Sequence, residues 1–285
     1  MAIDPDKLLN WKFPEIEHAY TEKDTILYAL GLGCGADGPH SDDLKFVYEN
    51  GLVALPTMAV VLASPGNWLG SKDSTVDYTK VLHGEQSLTL HRPLPPEGTV
   101  IGHTRVTGLL DKGKDKGAVL YAERRLLDKA TGAPIATMVS AAVLRGDGGF
   151  GGKAGPQPAP HALPDGPPTR HLDLKTYPNS ALIYRLSGGR NPLHADPKVA
   201  AAGGFKTPIL HGLCTYGVAG RAIIKACCGG DPARLKSLQV RFSAPVLPGE
   251  TIRTEMWPSA GEVSFRARAV ERDVVVLNNG LARIG

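Results

Sequence analysis

A Gly/Pro-rich stretch from Gly146 to Pro168 divides this chain into two parts of similar size. It contains Gly148-Gly-Phe-Gly-Gly-Lys153 and Pro156-Gln-Pro-Ala-Pro160. Such a stretch supports neither a helix nor a central strand, so residues 146–168 read as a linker. The predicted organisation is a first repeat over 1–145, the linker, and a second repeat over 169–285.

The two parts share an order of features. Each opens on a tyrosine-led segment, Leu27-Tyr-Ala-Leu-Gly and Ile183-Tyr-Arg-Leu-Ser-Gly. Each then has a long apolar run, near 52–63 and 209–228, and later a proline-glycine turn, Pro93–Gly98 and Pro245–Gly249. Matching order and spacing point to duplication. Alternating stretches such as Thr251–Trp257 and Val263–Val270 fit half-buried strands. About four strands and one long apolar helix per repeat fit an antiparallel sheet wrapped around a buried helix, an α+β double hotdog.

Bulk properties exclude several classes. At 42% hydrophobic and 21% charged, the chain is an ordinary globular one. The net charge is +4 and the basic residues are dispersed, which argues against nucleic acid. Cys34, Cys214, Cys227 and Cys228 contain no C-x-x-C pair, so no zinc site is expected, and they read as free thiols. No signal-like start, no run of membrane-spanning length and no Ser-Lys-Leu ending is present, so a cytoplasmic protein without a membrane partner is expected. Two glycine runs fail as nucleotide motifs: Gly31–Gly35 is not G-x-G-x-x-G, and Lys153 is followed by Ala154 rather than Ser or Thr.

The chemistry concentrates in Tyr184–Asp196 and in Pro208-Ile-Leu-His-Gly-Leu-Cys214. His194 follows Asn191-Pro192-Leu193 in a turn fixed by proline, and imidazole exchanges protons near neutral pH. Asp196 before Pro197 reads as a helix N-cap. Gly212 falls in the first turn of the long helix, where unpaired N–H groups suit an oxyanion, although a glycine there equally serves close packing. Asn191 orients a water or stabilises the turn, Arg190 reads as solvated, and His211 fits core or site equally well.

These residues resemble the hydratase-2 motif of the MaoC-like, (R)-specific 2-enoyl-CoA hydratases. The resemblance extends over nearly the whole chain through Tyr28-Ala-Leu-Gly, Asp43–Glu49, Leu55-Pro-Thr57, Lys80–Gln86, Leu110-Asp-Lys112 and Gly148–Lys153. It implies a double hotdog that hydrates trans-2-enoyl-CoA to (3R)-hydroxyacyl-CoA without metal or redox cofactor, the first repeat accommodating the acyl chain. It places His194, Asn191, Gly212 and Glu49 in catalysis. It places His83, Gly84, Lys112, Arg190 and Phe242 at the acyl-CoA, and it is compatible with a homodimer. One position departs: Gly189 stands where the family carries an Asp that shares the water with the histidine. Loss of a positioned base costs ~10²–10⁴ in rate. Two readings follow, a weakened hydratase or a catalytically silent acyl-CoA binder.

Overall fold

The computed structural model describes residues 3–285. Ten strands form a single antiparallel sheet. The first five are β1 (Ile16–Tyr20), β2 (Val81–Leu90), β3 (Gly98–Asp111), β4 (Ala118–Asp128) and β5 (Pro134–Leu144). The second five are β6 (Arg170–Lys175), β7 (Leu235–Phe242), β8 (Thr251–Ser259), β9 (Glu262–Ala269) and β10 (Val274–Ile284). The helices are α1 (Pro5–Leu9), α2 (Glu22–Gly31), α3 (Ser180–Tyr184), α4 (Pro197–Ala202) and α5 (Gly212–Cys227).

The strand order is β1-β3-β4-β5-β2-β7-β10-β9-β8-β6. Read outwards from the β2–β7 seam, both sides carry their equivalent strands in the same order, which is the topology of a duplicated unit. The seam pairs Glu85 with Arg241 through Thr89 with Ser237. It is reinforced by Arg241 Nε donating to Glu85 Oε1 at 2.7 Å. Tyr28 and Tyr184, matching positions of the two halves, meet with ring centroids 5.7 Å apart and are 0% and 1% exposed. Each half has five strands, one more than the alternation alone suggested, because β1 and β6 are short edge strands.

Helix α5 is the central helix of the second half. Its 16 residues span about 24 Å. Every residue from Cys214 to Ile224 is buried, so the helix is covered on all sides, and Arg221 is the one charged residue of that stretch. Glycines allow its neighbours in. A Cβ on Gly217 would lie 2.8 Å from Leu32, and one on Gly220 would lie 2.7 Å from Thr57. The two terminal nitrogens of Arg221 donate to Asp43 and to the Leu32 carbonyl while its Nε is buried without a partner among the described residues, and Lys225 reaches the other Asp43 oxygen at 3.2 Å.

The first half departs from the expected pattern. Residues 52–63 are not a long helix; only Pro56–Val60 turns, as a 3₁₀ segment. Proline at position 56 holds Leu55 extended at φ −71°, ψ 127° and removes a donor. Ala63, with φ 45°, turns the chain away at the other end. The run is apolar because Ala54–Ala63 is buried throughout, which no helical period requires. Helix α2, opened by Thr21 N–H donating to Asp24 Oδ2 at 2.8 Å, packs against α3 instead.

The glycines after β5 have an occupant of their own. Asp111 accepts the N–H groups of Gly113, Gly149 and Gly151 at 2.9, 2.7 and 2.8 Å. The first of the causes holding this carboxyl below its ordinary range is the Gly149 N–H, followed by that of Gly113. The run that resembles a phosphate loop is therefore a backbone cradle for the protein's own carboxylate. Among the described residues, no helix is long and apolar enough to cross a membrane.

Candidate active site

The loop between α3 and α4 is built by successive caps. After the 3₁₀ turn Arg185–Ser187, Gly188 takes φ 124°, a value suited to glycine. Asn191 Oδ1 accepts Leu193 N–H at 3.0 Å and opens the turn Pro192–His194. Asp196 Oδ1 accepts Lys198 N–H at 2.8 Å and caps α4, so this carboxylate is committed to the backbone. The other Asn191 terminus, Nδ2, approaches Tyr78 OH at 3.5 Å, a long contact from the first half.

His194 is half-buried. Its Nδ1 lies 2.8 Å from the Ile209 carbonyl oxygen. A carbonyl only accepts, so Nδ1 carries the proton and Nε2 keeps its lone pair. Burial lowers the His194 pKa below 6.5, and the Ile209 carbonyl partly offsets this.

His211 precedes α5 and is 5% exposed. Its Nε2 lies 2.7 Å from the Gly189 carbonyl oxygen, which assigns the proton to Nε2; its Nδ1 is buried without a partner. The two imidazoles stack with centroids 3.7 Å apart and planes inclined by 29°. Burial, and then the charge of His194, push His211 down to about 3. Among the described residues, no carboxylate forms a hydrogen bond or ion pair with either ring.

Gly212 begins α5. Cys214 and Thr215 direct their N–H groups to the His211 carbonyl, while the Gly212 N–H has no partner among the described residues. Phe242 covers it: a Cβ on Gly212 would come within 3.1 Å of the Phe242 ring. Phe242 in turn meets His83, with ring centroids 4.7 Å apart. Gly84 sits where the β2–β5 register slips between His83 and Glu85, and a Cβ there would be 2.8 Å from Val143. His194, His211, Gly212, Phe242, His83 and Gly84 thus form one contiguous group at the N-terminal end of α5.

Three expected residues fall outside this group. Lys112 follows β3, three strands from β2 and so roughly 14 Å away across the sheet, and its Nζ reaches the Ala154 carbonyl at 3.3 Å. Arg190 is exposed. Glu49 is exposed on a loop anchored by Asp43 and Lys45 at the C-terminal half of α5, where Lys45 Nζ donates to the Gly230 carbonyl at 2.8 Å. The structure does not bring Glu49 to His194. The carboxylates of its segment are divided between structure and solvent: Asp43 is the buried partner of Arg221.

The backbone at Gly189 permits a side chain. Its φ is not in the left-handed region, but a Cβ there would lie 3.0 Å from His211 Cδ2. An Asp at 189 fits if His211 yields by a few tenths of an ångström. The sequence leaves His211 open between core and site, and the structure puts it in the site; its signal is a histidine directly before the glycine that opens a helix. Tyr78 escaped the sequence reading and had no signal.

Comparison with known proteins assigns the halves separately. The family model for the MaoC like domain matches residues 160–279, and that for the MFE-2 hydratase 2 N-terminal domain matches residues 18–146. The chain is 41% identical to the probable enoyl-CoA hydratase 2 of Dictyostelium discoideum, across 100% of this chain and 97% of that protein. It is 42% identical to 3-hydroxyacyl-thioester dehydratase Y of Mycobacterium tuberculosis, across 98% of each. The crystal structure of a MaoC-like dehydratase from Phytophthora capsici superposes with a TM-score of 0.86 at 39% identity, covering 98% of each chain. With relatives of this identity matching from end to end, and with both halves carrying their own domain signature, this chain belongs to the MaoC-like hydratase 2 family.

Proposed function

We propose that this chain adds water to trans-2-enoyl-CoA to give (3R)-hydroxyacyl-CoA, with His194 as the proton-transfer group and the Gly212 N–H on the thioester oxygen. The observation that carries this reading is the tautomer of His194: Ile209 fixes the proton on Nδ1, leaving Nε2 bare. Nε2 takes a proton from water as the water oxygen bonds to C3. The C2–C3 π electrons move onto the thioester oxygen, which accepts from Gly212 N–H. The imidazolium then returns its proton to C2 and the carbonyl re-forms. Water is added without net oxidation, so the step calls for no redox cofactor. The first half receives the acyl chain, and Lys112 lies on the route that the CoA moiety takes across the sheet.

A second reading has its own support. Among the described residues no carboxylate bonds to His194 to share the water, which favours slow hydration or binding alone. The test is a hydration assay with crotonyl-CoA and a long-chain enoyl-CoA on the parent and on Gly189→Asp. The expected result is a gain of ~10²-fold or more for the Asp variant, the lower end of what a positioned base supplies. A folded Gly189→Asp that is no faster than the parent would overturn the assignment of the site. Calorimetric titration with the same thioesters separates a silent binder, which binds and does not turn over, from a chain without the pocket.

A further inference from the structure

The proposed reaction leaves His211 without a task, yet its ring stacks on that of the base with centroids 3.7 Å apart. Its backbone is fixed, because its carbonyl accepts the N–H groups of Cys214 and Thr215 at 3.0 and 3.1 Å. Its ring lies face to face with His194, and Tyr184 stands on it with centroids 5.1 Å apart. Its Nε2 reaches the Gly189 carbonyl at 2.7 Å.

The loop needs such a tie. Gly188 and Gly189 are consecutive glycines, the pair of residues with the most backbone freedom to lose. Gly188 N–H makes only a long 3.3 Å bond to Arg185 O. Gly189 has no side chain with which to hold a water or a neighbour. The charges that bear on His211 are those of His194 and, more weakly, Arg185, which adds no hydrogen bond to the ring.

We propose that His211 is the positioning residue of this site: its ring sets the plane of His194, and its Nε2–H ties the Gly189 backbone to the same support. The inference rests on the proposed hydratase reading for its catalytic meaning. Its geometry stands on the stack and the tether alone. One rigid residue at the start of α5 then holds the base, the loop and, through the next peptide, the Gly212 N–H in one frame. A misplacement of about 1 Å in such a frame costs up to ~10²-fold in rate.

Two variants separate the two contacts. His211→Phe keeps a stacked ring and loses the tether; His211→Gln keeps a donor for Gly189 and loses the ring. Histidine NMR on the parent should show the Nδ1–H tautomer for His194 and the Nε2–H tautomer for His211. The amides of Gly189 and Arg190 should lose order in His211→Phe and keep it in His211→Gln. In His211→Gln, where the ring no longer covers His194, its pKa should rise towards 6.5; in His211→Phe it should stay low. Hydration, measured in whichever of the parent and Gly189→Asp is faster, should show kcat reduced roughly 10-fold or more in both variants, with KM within about twofold. Unchanged kcat in both variants, an Nδ1–H tautomer for His211, or undisturbed loop amides in His211→Phe would each overturn the proposal. If neither background hydrates any enoyl-CoA, the hydratase reading fails, and the tautomers and loop amides still decide whether His211 holds the loop.

Discussion

Phe242 lies against Gly212 so closely that one added methyl group on the glycine would come within 3.1 Å of the ring. The contact packs the first residue of α5 against β7 and so joins β7 to the site. Gly212→Ala should therefore fold and lose kcat/KM by ~10-fold or more, short of the ~10²–10³ that removing an oxyanion donor costs. Adding Phe242→Leu should return part of the loss by giving the methyl room. Steady-state kinetics with melting temperatures check this. Equal activity in Gly212→Ala and the parent would show that the Phe242 contact does not govern the site, because alanine keeps the N–H at 212.

The histidine pair makes stability depend on pH. The folded pKa of His211 is depressed to about 3 by burial and by His194, against 6.5 in an unfolded chain. Between those values the unfolded state binds the extra proton, so stability rises with pH there and is lost as pH falls from about 6.5. The urea midpoint should thus fall between pH 7 and pH 5 in the parent. In His211→Phe the fall should be smaller, with the urea m-value unchanged. An identical fall in both proteins would show that the imidazole is not buried neutral.

Asp43 and Arg221 test a structural role. Both are buried, at 1% and 3% exposure, and each is the other's partner. Asp43→Ala leaves a buried guanidinium with only the Leu32 carbonyl, and Lys225 without its carboxylate. The expected loss is about 3–5 kcal/mol of unfolding free energy. Turnover per folded molecule should stay the same, because the pair sits along α5 away from its N-terminus. Chemical denaturation and active-site titration measure the two separately.

Asp111 is expected to govern the linker. Asp111→Ala releases the Gly113, Gly149 and Gly151 N–H groups together. Limited proteolysis should then cut within 146–160 much faster than in the parent, while the β2–β7 seam keeps the two pieces together. Unchanged cleavage rates would mean that the glycine run is held by its surroundings rather than by the carboxylate.

The legible and illegible parts of this molecule divide along physical lines. Alternation announced β9, where every second residue from Val263 to Ala269 is buried, because a strand with one covered face writes its period into the sequence. The cap Asp196 was readable for a similar reason, a short polar side chain before proline, whereas the sequence leaves Asn191 open between a water and the turn that it is seen to cap. Residues 52–63 misled because burial on every side leaves no period, and Pro56 was the better guide. Glu49 followed position in a motif, and position alone does not say which end of a 16-residue helix a loop meets. The stack of His194 on His211 joins residues that only the fold brings together, through the loop closed by the Gly189 tether.

The mirrored strand order has a consequence for how such a protein changes. In a symmetric pair of identical subunits, every substitution is made twice, once on each side of the axis. Here the axis runs through one chain, between β2 and β7, so each substitution is made once. Pro56 could enter one half and unwind its helix while α5 remained whole in the other. A single chain turns a symmetric partner into a specialised one: the first half is free to diverge because the second alone carries the stacked pair His194 and His211.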